Sequence, residues 1–405
     1  MITLTNASNA LKDVYLGVVS EQLNTKTNPL FSRIKQTTAD VWGNQIVKLA
    51  PYGVNGGVGC GSEEGSLPIS GGNRYVRFVS NLKNLYGVIE LTDKAIRASE
   101  HSAGAFVNLL NAEMEGLVRA SAYNFSRMLY GDHSGKLATI SANTVVSGGV
   151  ATLTVDDCGK LMEGMIVDVM ASGSAVSGLS GLRIKSINRS AKTVVVEGIT
   201  ASSTAKDALA TNTLCTQGSA GKELTGLGDI FDTTQTSLYG VTRADYSWMT
   251  PYTKALSADS DTVTTGSMSD VVMQRAIDEL EEGADSAVDF IACSAGVKRN
   301  YQEYLASFRS NVDVMDLAGG YKAISYNGIP VVSDRFVSKN TMYLLNTKEF
   351  NLHQLCDWQW IEGENGRVLR QNEGKPTYSA TLVKYADLIC NKPSGQAKLT
   401  NITES

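Results

Sequence analysis

The sequence predicts an α+β protein of several domains, with a small all-β domain inserted into the chain. Its 405 residues exceed the ~250 to 300 residues at which a single hydrophobic core stops growing. Short strands separated by glycine and serine turns fill the middle of the chain, whereas amphipathic helices alternate with apolar strands in the last third. Hydrophobic residues make up 42% of the chain, which is enough to fill several cores.

Charge and cysteine usage narrow the classes of function. The net charge of −5 gives no general attraction to nucleic acid or to an anionic membrane. The six cysteines form no Cys-x-x-Cys pair and no zinc-type spacing, so we expect free thiols in a reducing compartment. The sequence shows no signal peptide and no apolar run of the ~20 residues that span a bilayer, which predicts folding in a cytoplasm.

Residues 1–43 are predicted to form an N-terminal arm. Apolar residues from Leu11 to Leu23 recur at helical spacing after the capping candidates Asn6 and Ser8, and Pro29 closes the region. No neighbouring segment offers this short helix an obvious packing partner. We therefore expect the arm to dock elsewhere.

Residues 44–86 are predicted to form a long hairpin arm with a glycine-rich tip. Between Gly53 and Gly72 the chain has eight glycines in twenty residues, and the sequence on both sides is typical of β-strands. We place the two legs at residues 45–50 and 75–85. Because an isolated two-stranded hairpin is at best marginally stable in water, we expect this arm to lie on another structure, such as a second subunit.

The glycine run has two other interpretations. A phosphate-binding loop needs a helix directly after it, so that free backbone N–H groups point at the anion. Here a strand-like segment follows, no Gly-Lys-Ser or Gly-Lys-Thr is present, and Glu63 and Glu64 would repel phosphate. The context therefore argues against nucleotide binding. A flexible linker between domains is compatible with the composition.

Residues 87–133 contain the longest predicted helix, which runs from Gly104 to Tyr130. Gly131 lies at its expected C-terminal stop, and a shorter helical turn is expected at 92–99. At 1.5 Å per residue the long helix would extend about 40 Å, which suits a spine. Its core-facing stripe follows steps of three and four residues and comprises Phe106, Leu110, Met114, Leu117, Ser121, Phe125 and Met128.

Residues 134–216 are predicted to form the inserted β domain, as a small barrel or sandwich. The segments VATLTV, MIVDVM, LRIKSI and KTVVVEG read as short strands with turn-forming residues between them. Asp156 and Asp157 follow the first of these strands and could bind calcium. The Asp-x-Asp-x-Asp-Gly pattern of a calcium loop does not surround them, so we expect them to cap a turn.

A connecting segment, 217–266, leads to an α+β domain, 267–346, and then to terminal β segments, 347–405. In the α+β domain the helical segments DVVMQRAIDELEEG and SAGVKRNYQEYLASF flank the strand VDFIAC, with Ser294 as an N-cap. Asn327 and Gly328 predict a tight hairpin turn. Trp358 and Trp360 lie on one strand face, where we expect core or interface positions, with a platform for a sugar or base as the alternative.

No catalytic constellation can be assembled from the sequence. The three histidines, His101, His133 and His353, stand in no His-Glu-x-x-His or Gly-x-Ser-x-Gly context. No nucleophile with a nearby base can be proposed from spacing alone. We therefore predict that the protein is not an enzyme and that it uses no catalytic residues, cofactor or metal.

The order of these parts resembles the major capsid proteins of tailed bacteriophages with the HK97-type fold. The most specific local likeness is GGYKAISYNGIPVVSDRF, which is followed by the strand TMYLLNTKEF. The likeness spans nearly the whole chain outside 134–216. It implies that the hairpin arm is an E-loop, that the spine helix and the terminal strands form a P-domain, that 267–346 is an A-domain, and that the β domain is an insertion.

The resemblance implies a structural protein that self-assembles into hexamers and pentamers of an icosahedral phage head enclosing double-stranded DNA. Such a protein would be located in the virion after assembly in the host cytoplasm. Separate scaffolding, portal and decoration proteins would be its partners, and it would contact packaged DNA weakly and without sequence specificity; no membrane contact is implied. Many members of this family begin with a long, charged, helical scaffolding segment, whereas here we expect the fold to start by about Asn6, so that help with assembly would come from a separate scaffolding protein or from none.

The hairpin arm is the predicted contact between subunits. Some shells of this family cross-link through a lysine on the arm, but no lysine occurs from Leu49 to Leu82, so we expect a non-covalent contact. Flexible glycines would adapt the tip to different subunit angles, and charged residues would set its register, since exposed ion pairs contribute at most about 1 kcal/mol each. The candidate contact residues are Gly56, Gly57, Gly59, Glu63, Glu64, Arg74 and Arg77.

Two alternative functions stay open. An encapsulin-like nanocompartment shell would use the same fold to enclose enzymes in place of DNA. A surface or adhesin-type binding protein would use the β-rich parts to bind a ligand, and it should carry an export signal.

Overall fold

The computed structural model describes residues 28–94, 103–201, 205–256, 266–307, 314–317, 321–362 and 368–405, with the backbone alone at 103–112, 314–317 and 321–323. The predicted N-terminal helix, His101 and most of the helical turn expected at 92–99 lie outside these residues.

The three long helices follow the predicted periodicity. The α-helices are α1 (Ala103–Leu129), α2 (Leu227–Ile230), α3 (Asp270–Ala284) and α4 (Ala295–Ser307), and short 3-10 helices span Phe31–Arg33, Arg243–Asp245, Ser247–Met249, Thr347–Glu349 and Pro393–Gly395. Helix α1 confirms the predicted spine. The Ser294 hydroxyl accepts a hydrogen bond from the backbone N–H of Val297 at 3.4 Å, which confirms the predicted N-cap of α4.

Strands make up most of the remaining structure. In chain order they are β1 (Lys35–Thr37), β2 (Val41–Trp42), β3 (Gln45–Tyr52), β4 (Arg74–Asn81), β5 (Lys83–Thr92), β6 (Lys136–Asn143), β7 (Val150–Val155), β8 (Ile166–Ala171), β9 (Ser174–Ala175), β10 (Leu182–Asn188), β11 (Thr193–Glu197), β12 (Thr213–Thr216), β13 (Ser237–Leu238), β14 (Val241–Thr242), β15 (Tyr252–Ala255), β16 (Phe290–Cys293), β17 (Val314–Leu317), β18 (Tyr321–Tyr326), β19 (Ile329–Ser333), β20 (Met342–Leu345), β21 (Phe350–Trp360), β22 (Arg370–Gln371), β23 (Thr377–Cys390) and β24 (Ala397–Thr400).

The spine helix packs on a sheet built from distant parts of the chain. Strand β23 pairs with β5 on one side and with β21 on the other, β1 adds to β21 in parallel, and β22 also pairs with β23. Helix α1 buries Met114, Phe125 and Met128 in this core, as the predicted stripe requires. Gly87 of β5 lets the helix approach closely, because a Cβ there would lie 2.9 Å from a methyl carbon of Leu117.

The predicted β domain is a closed barrel. Strands β10, β11, β7, β6, β12 and β8 pair in that order, and β8 pairs back to β10, so the sheet closes on itself with every pair antiparallel. Leu153, Val167, Val194 and Leu214 are among the side chains that fill its interior. Closure removes the exposed strand edges that a small open sheet would present. The Asp156 carboxylate accepts the backbone N–H groups of Thr139 and Asp157, each at 2.8 Å, and so joins the end of β7 to β6.

Helices α3 and α4 cover a mixed sheet of the order β15-β24-β20-β16-β19-β18-β17. Val272, Ala276 and Leu280 of α3 are buried against it, as their spacing predicts. The Asn327-Gly328 turn joins β18 to β19 with both residues at positive φ, 48° and 77°, which is the conformation that favours this pair in tight hairpins. The sheet extends beyond residues 267–346, because β15 and β24 come from the segments on either side in sequence.

A buried ion pair joins the spine helix to the exit of the barrel. Arg127 of α1 donates to both carboxylate oxygens of Glu223, with 2.9 Å between Nη1 and Oε2, and a further N–H lies 3.3 Å from the hydroxyl of Thr216. Only 2% of each charged side chain is exposed. The bidentate geometry compensates for desolvation of both groups.

A second buried charge, Lys384, links strand β1 to β21 and β23 of the same sheet. Lys384 of β23 is fully buried, and its ammonium donates to Asp357 at 2.7 Å and to Gln36 at 3.2 Å. The rings of Phe31 and Phe125 lie 5.9 and 5.4 Å from the same nitrogen, within the range of cation–π attraction. Burial is the main cause that lowers the pKa of Lys384.

Candidate assembly interface

The hairpin arm is formed by β3 and β4, which pair along their full length from Gln45 opposite Asn81 to Tyr52 opposite Arg74. Alternate side chains are buried on one face, including Ile46 and Phe78, whereas Leu49 and Tyr75 are exposed on the other. The predicted second leg, 75–85, was too long. The chain leaves the arm after Asn81, and β5 pairs with β23 in the sheet beneath the spine helix.

An aromatic cluster holds the root of the arm, by which we mean the paired strands β3 and β4 up to Tyr52 and Arg74, where the tip begins. Phe78 lies 5.5 Å from Tyr239 and 5.8 Å from Trp248, measured between ring centroids, and Tyr52 lies 5.1 Å from Tyr246. The backbone N–H of Val79 also donates to the carbonyl of Tyr239 at 2.9 Å. The connecting segment of the same chain therefore supplies the support that the root needs.

A buried carboxylate adds a polar anchor at the root. Asp387 of β23 is fully buried and accepts hydrogen bonds from the hydroxyl of Ser80 at 2.5 Å and from the backbone N–H of Thr225 at 2.8 Å. Burial is the largest influence on this group and raises its pKa, although both hydrogen bonds favour the charged form. The Asp387 side chain thus joins three parts of the chain: the end of β4, the connecting segment and β23.

The tip of the arm, residues 53–73, has no strand and little contact with the rest of the described chain. The Asn55 side chain accepts the backbone N–H of Gly57 at 3.1 Å, and the carbonyl of Ser62 accepts the N–H of Gly65 at 3.0 Å. At Gly71 a Cβ would lie only 2.6 Å from the backbone nitrogen of Gly56, so the two sides of the tip approach too closely for a larger residue.

Four apolar side chains of the tip are almost fully exposed. About 90% of the surface of each is accessible to solvent: Val54 90%, Val58 91%, Leu67 89% and Ile69 91%. Four such side chains within one loop of 21 residues are more than the single scattered apolar residues of an ordinary surface, which makes the tip a candidate contact surface. The sequence analysis missed these residues because they follow neither a helical nor a strand period. Their apolar character within an otherwise polar, glycine-rich loop is the signal that could have identified them.

The predicted contact residues divide between two parts of the arm. Gly56, Gly57, Gly59, Glu63 and Glu64 lie in the tip, whereas Arg74 and Arg77 lie on β4 and are both exposed. Arg77 is on the outer face of the strand, and Arg74 is at the tip end of the inner face. Among the described residues none of these four charged side chains forms an ion pair. The structure therefore does not bring the acidic and basic groups together within one chain, and their pairing between subunits stays a prediction.

A groove of about 720 Å³ lies beside the spine helix. It is bounded by the start of β5, by one side of α1 and by the loop 216–223 that leaves the barrel. Tyr86, Leu117 and Trp358 contribute apolar surface, and Asn124 and Gln217 contribute polar groups. Its mixed lining and its length along β5 suit an extended segment of chain.

The other titratable groups have structural surroundings. The Asp229 carboxylate lies 2.5 Å from Nδ1 of His133 at the end of the spine helix and 2.9 Å from Nε2 of Gln235, and burial raises its pKa. Across the described residues, no group of three or more histidine, cysteine, aspartate or glutamate side chains is arranged to hold a metal ion. In the same residues, no helix combines the length and the apolar character needed to cross a bilayer.

Comparison with known proteins gives likeness in structure alone. No family model matches the sequence, and no curated protein matches it. A chain of the cyanophage A-1(L) capsid asymmetric unit superposes with a TM-score of 0.55 at 12% identity, covering 94% of each chain. The holo-SrpI encapsulin complex from Synechococcus elongatus PCC 7942 gives 0.47 at 9% identity, covering 95% of each chain. The capsid of Myoviridae phage XM1 gives 0.43 at 8%, covering 91% of this chain and 89% of that one. The likeness to the cyanophage A-1(L) chain shows that this chain has the fold of that capsid protein.

Proposed function

We propose that this chain is the major capsid protein of a tailed bacteriophage, a structural subunit that self-assembles into hexamers and pentamers of an icosahedral head around double-stranded DNA. The observation that carries the proposal is the hairpin arm, whose root is held by its own chain while its apolar tip is left in solvent. The full-length likeness to the cyanophage A-1(L) capsid chain supports the same function. Such a subunit resides in the virion and has no catalytic role.

In the proposed shell the tip of one subunit lies on its neighbour. Covering four nearly fully exposed side chains would contribute about 1.5–3 kcal/mol for each one that becomes fully buried. In a closed ring every subunit would make one such contact, so the apolar contribution is repeated around the capsomer without a covalent bond. We propose the groove beside α1 as the surface that receives the tip. The HK97-type division into E-loop, P-domain, A-domain and inserted barrel belongs to the same proposal.

The direct test is to delete residues 55–72 and look for particles by negative-stain electron microscopy. The deletion joins Val54 to Asn73, so the last paired residues, Tyr52 and Arg74, would be connected by a three-residue loop that an antiparallel hairpin accommodates. We expect a folded, soluble subunit that forms no shells. Normal particles from the deletion variant would remove the arm from the assembly mechanism.

A second variant tests the apolar contact of the tip without changing the length of the arm. Val58→Ser combined with Ile69→Ser keeps the tip but removes two of its exposed apolar groups, and we expect a lower yield of particles. Val145→Ser is the matched control, because Val145 is an exposed valine of the barrel, 61% accessible, far from the arm in sequence. Equal yields from the tip variant and the control would contradict the proposed contact.

The contents of the particles distinguish a phage head from a nanocompartment. Particles from infected cells that protect double-stranded DNA from nuclease support the head. Particles that enclose protein cargo and no DNA support an encapsulin-like shell. A subunit that stays monomeric at high concentration under every assembly condition would count against both kinds of shell.

A further inference from the structure

A cationic cleft lies between the barrel and the segment that follows β19. It has a volume of about 380 Å³ and is bounded by the start of β6, by the loops after β7 and β10, and by residues 335–339. Three acidic side chains, Asp132, Asp156 and Asp157, also line it. The basic side chains of the cleft are Lys136, Lys160, Lys192, Arg335 and Lys339.

The carboxylates of the cleft are already engaged. Asp156 accepts two backbone N–H groups at 2.8 Å each, and Asp132 accepts the hydroxyl of Ser134 at 2.5 Å. Asp157 lies 3.9 Å from the ammonium of Lys339. These carboxylates keep their charge, but the five basic side chains outnumber the three acidic ones, so the lining of the cleft has an excess of two positive charges.

Several cations of the cleft are not in direct contact with a carboxylate of the described chain. Among the residues that the structure describes, the ammonium groups of Lys136, Lys160 and Lys192 form no ion pair. Arg335 stacks its guanidinium 4.8 Å from the ring centroid of Tyr123, an arrangement that occupies the planar face and leaves the in-plane N–H donors available. Lys160 is half-buried, and desolvation, followed by repulsion from Arg127, lowers its pKa. An anion bound in the cleft would offset both costs.

We propose that this cleft binds a phosphate group, supplied either by a small phosphate anion or by the backbone of a nucleic acid. Converging ammonium groups and a guanidinium fork match the charge and the oxygen geometry of phosphate better than those of a single carboxylate. A cleft of about 380 Å³ is at the small end of ligand sites, which suits one or two phosphate groups. This inference does not depend on the proposed shell function.

The test is calorimetric titration of the full-length chain with pyrophosphate at low salt. We expect saturable binding with one site per chain, weakened at least fivefold by Lys160→Met and by Lys192→Asn. Asparagine is chosen at Lys192 because that residue has a φ of 51°, which asparagine tolerates. Lys185→Gln is the matched control: Lys185 is on β10 of the same barrel, outside the cleft, 62% exposed and 4.0 Å from Glu197. We expect its affinity to stay within twofold of the parent chain.

Competition with a short DNA duplex identifies the source of the phosphate. If the duplex displaces pyrophosphate and its affinity falls with salt by a log–log slope of ~0.9 per contacted phosphate, the ligand is the nucleic-acid backbone. If pyrophosphate binds and the duplex does not displace it, the ligand is a small anion. The proposal is overturned if pyrophosphate does not bind saturably, if Lys185→Gln weakens binding as much as the cleft variants, or if a polyglutamate peptide binds more tightly than pyrophosphate. Should Lys160→Met misfold, the exposed Lys192 variant decides.

Discussion

Replacing Arg127 by methionine is expected to destabilise the subunit by about 3–5 kcal/mol, the usual cost of removing one partner from a buried ion pair. Methionine is similar in length and apolar, so it fills most of the space along α1. It cannot pair with Glu223, whose carboxylate has 2% of its side chain exposed and cannot reach water without movement of the barrel exit. The cost therefore arises from the stranded charge and not from a cavity.

The double variant Arg127→Met with Glu223→Leu distinguishes this explanation from a simple loss of packing. It removes both charges and leaves the hydroxyl of Thr216 as the neighbouring polar group. We expect most of the lost stability to return, to within about 2 kcal/mol of the parent chain, because replacement of a whole buried ion pair by apolar residues is often close to neutral. The double-mutant cycle then gives the coupling energy directly.

The assay is urea unfolding of the unassembled subunit, followed by tryptophan fluorescence and by circular dichroism. A chain of several domains need not unfold in one step, so the compared quantity is the midpoint of the transition that both probes report. Arg119→Met is the control, because Arg119 is on the same helix, 80% exposed, and pairs with Glu115 at 3.6 Å, a contact that contributes at most ~0.5 kcal/mol. The reasoning is refuted if Arg127→Met is as mild as Arg119→Met, or if the double variant is no more stable than the single one.

Three further changes test the root, the sheet and the tip. Phe78→Ala should cost about 3–5 kcal/mol and loosen the arm from Trp248, seen as faster proteolysis of the arm; an unchanged cleavage rate would contradict the anchor. Burial is the main cause that lowers the pKa of His353 below 6.5, so the unfolded chain binds a proton there before the folded chain does. Stability should therefore fall as the pH drops below about 6.5, by up to ~1.4 kcal/mol per unit, and His353→Asn should flatten this fall in thermal unfolding at pH 5 to 7; parallel pH profiles would contradict it. Gly71→Val should leave the melting temperature unchanged but reduce particle yield, since its side chain would collide with Gly56; normal particles would show that the close approach is dispensable.

Elements specified by local sequence could be predicted before the structure was seen. Helix α3, strand β16 and helix α4 follow from periodicity and from the caps at their ends, and the Asn327-Gly328 turn follows from its backbone preference. The spine helix was predicted within one residue at each end, from Gly104 to Tyr130, against an observed helix of Ala103–Leu129. These features depend on residues within one or two turns of each other.

Contacts between distant segments could not be predicted in the same way. The aromatic residues that hold the arm, Tyr239 and Trp248, lie 161 and 170 residues beyond Phe78 in sequence, and nothing in their local pattern indicates the contact. Strand β24 joins the sheet of α3 and α4 although it follows β23, which belongs to another sheet. The barrel likewise needs β6 to pair with β12, and these are its first and last strands in sequence. Each of these needs tertiary contacts that one sequence does not display.

The arrangement of the arm makes assembly separable from folding. Its root is buried through Phe78 and Asp387, so it belongs to the core of its own subunit and any change there costs stability. Its tip contributes nothing comparable to that core, since Val58 and Ile69 are about nine-tenths exposed. A change in the tip should therefore alter association while the unfolding midpoint stays constant, whereas a change in the root should alter both. The contribution of the glycine-rich tip to association can therefore be measured separately from the stability of the subunit.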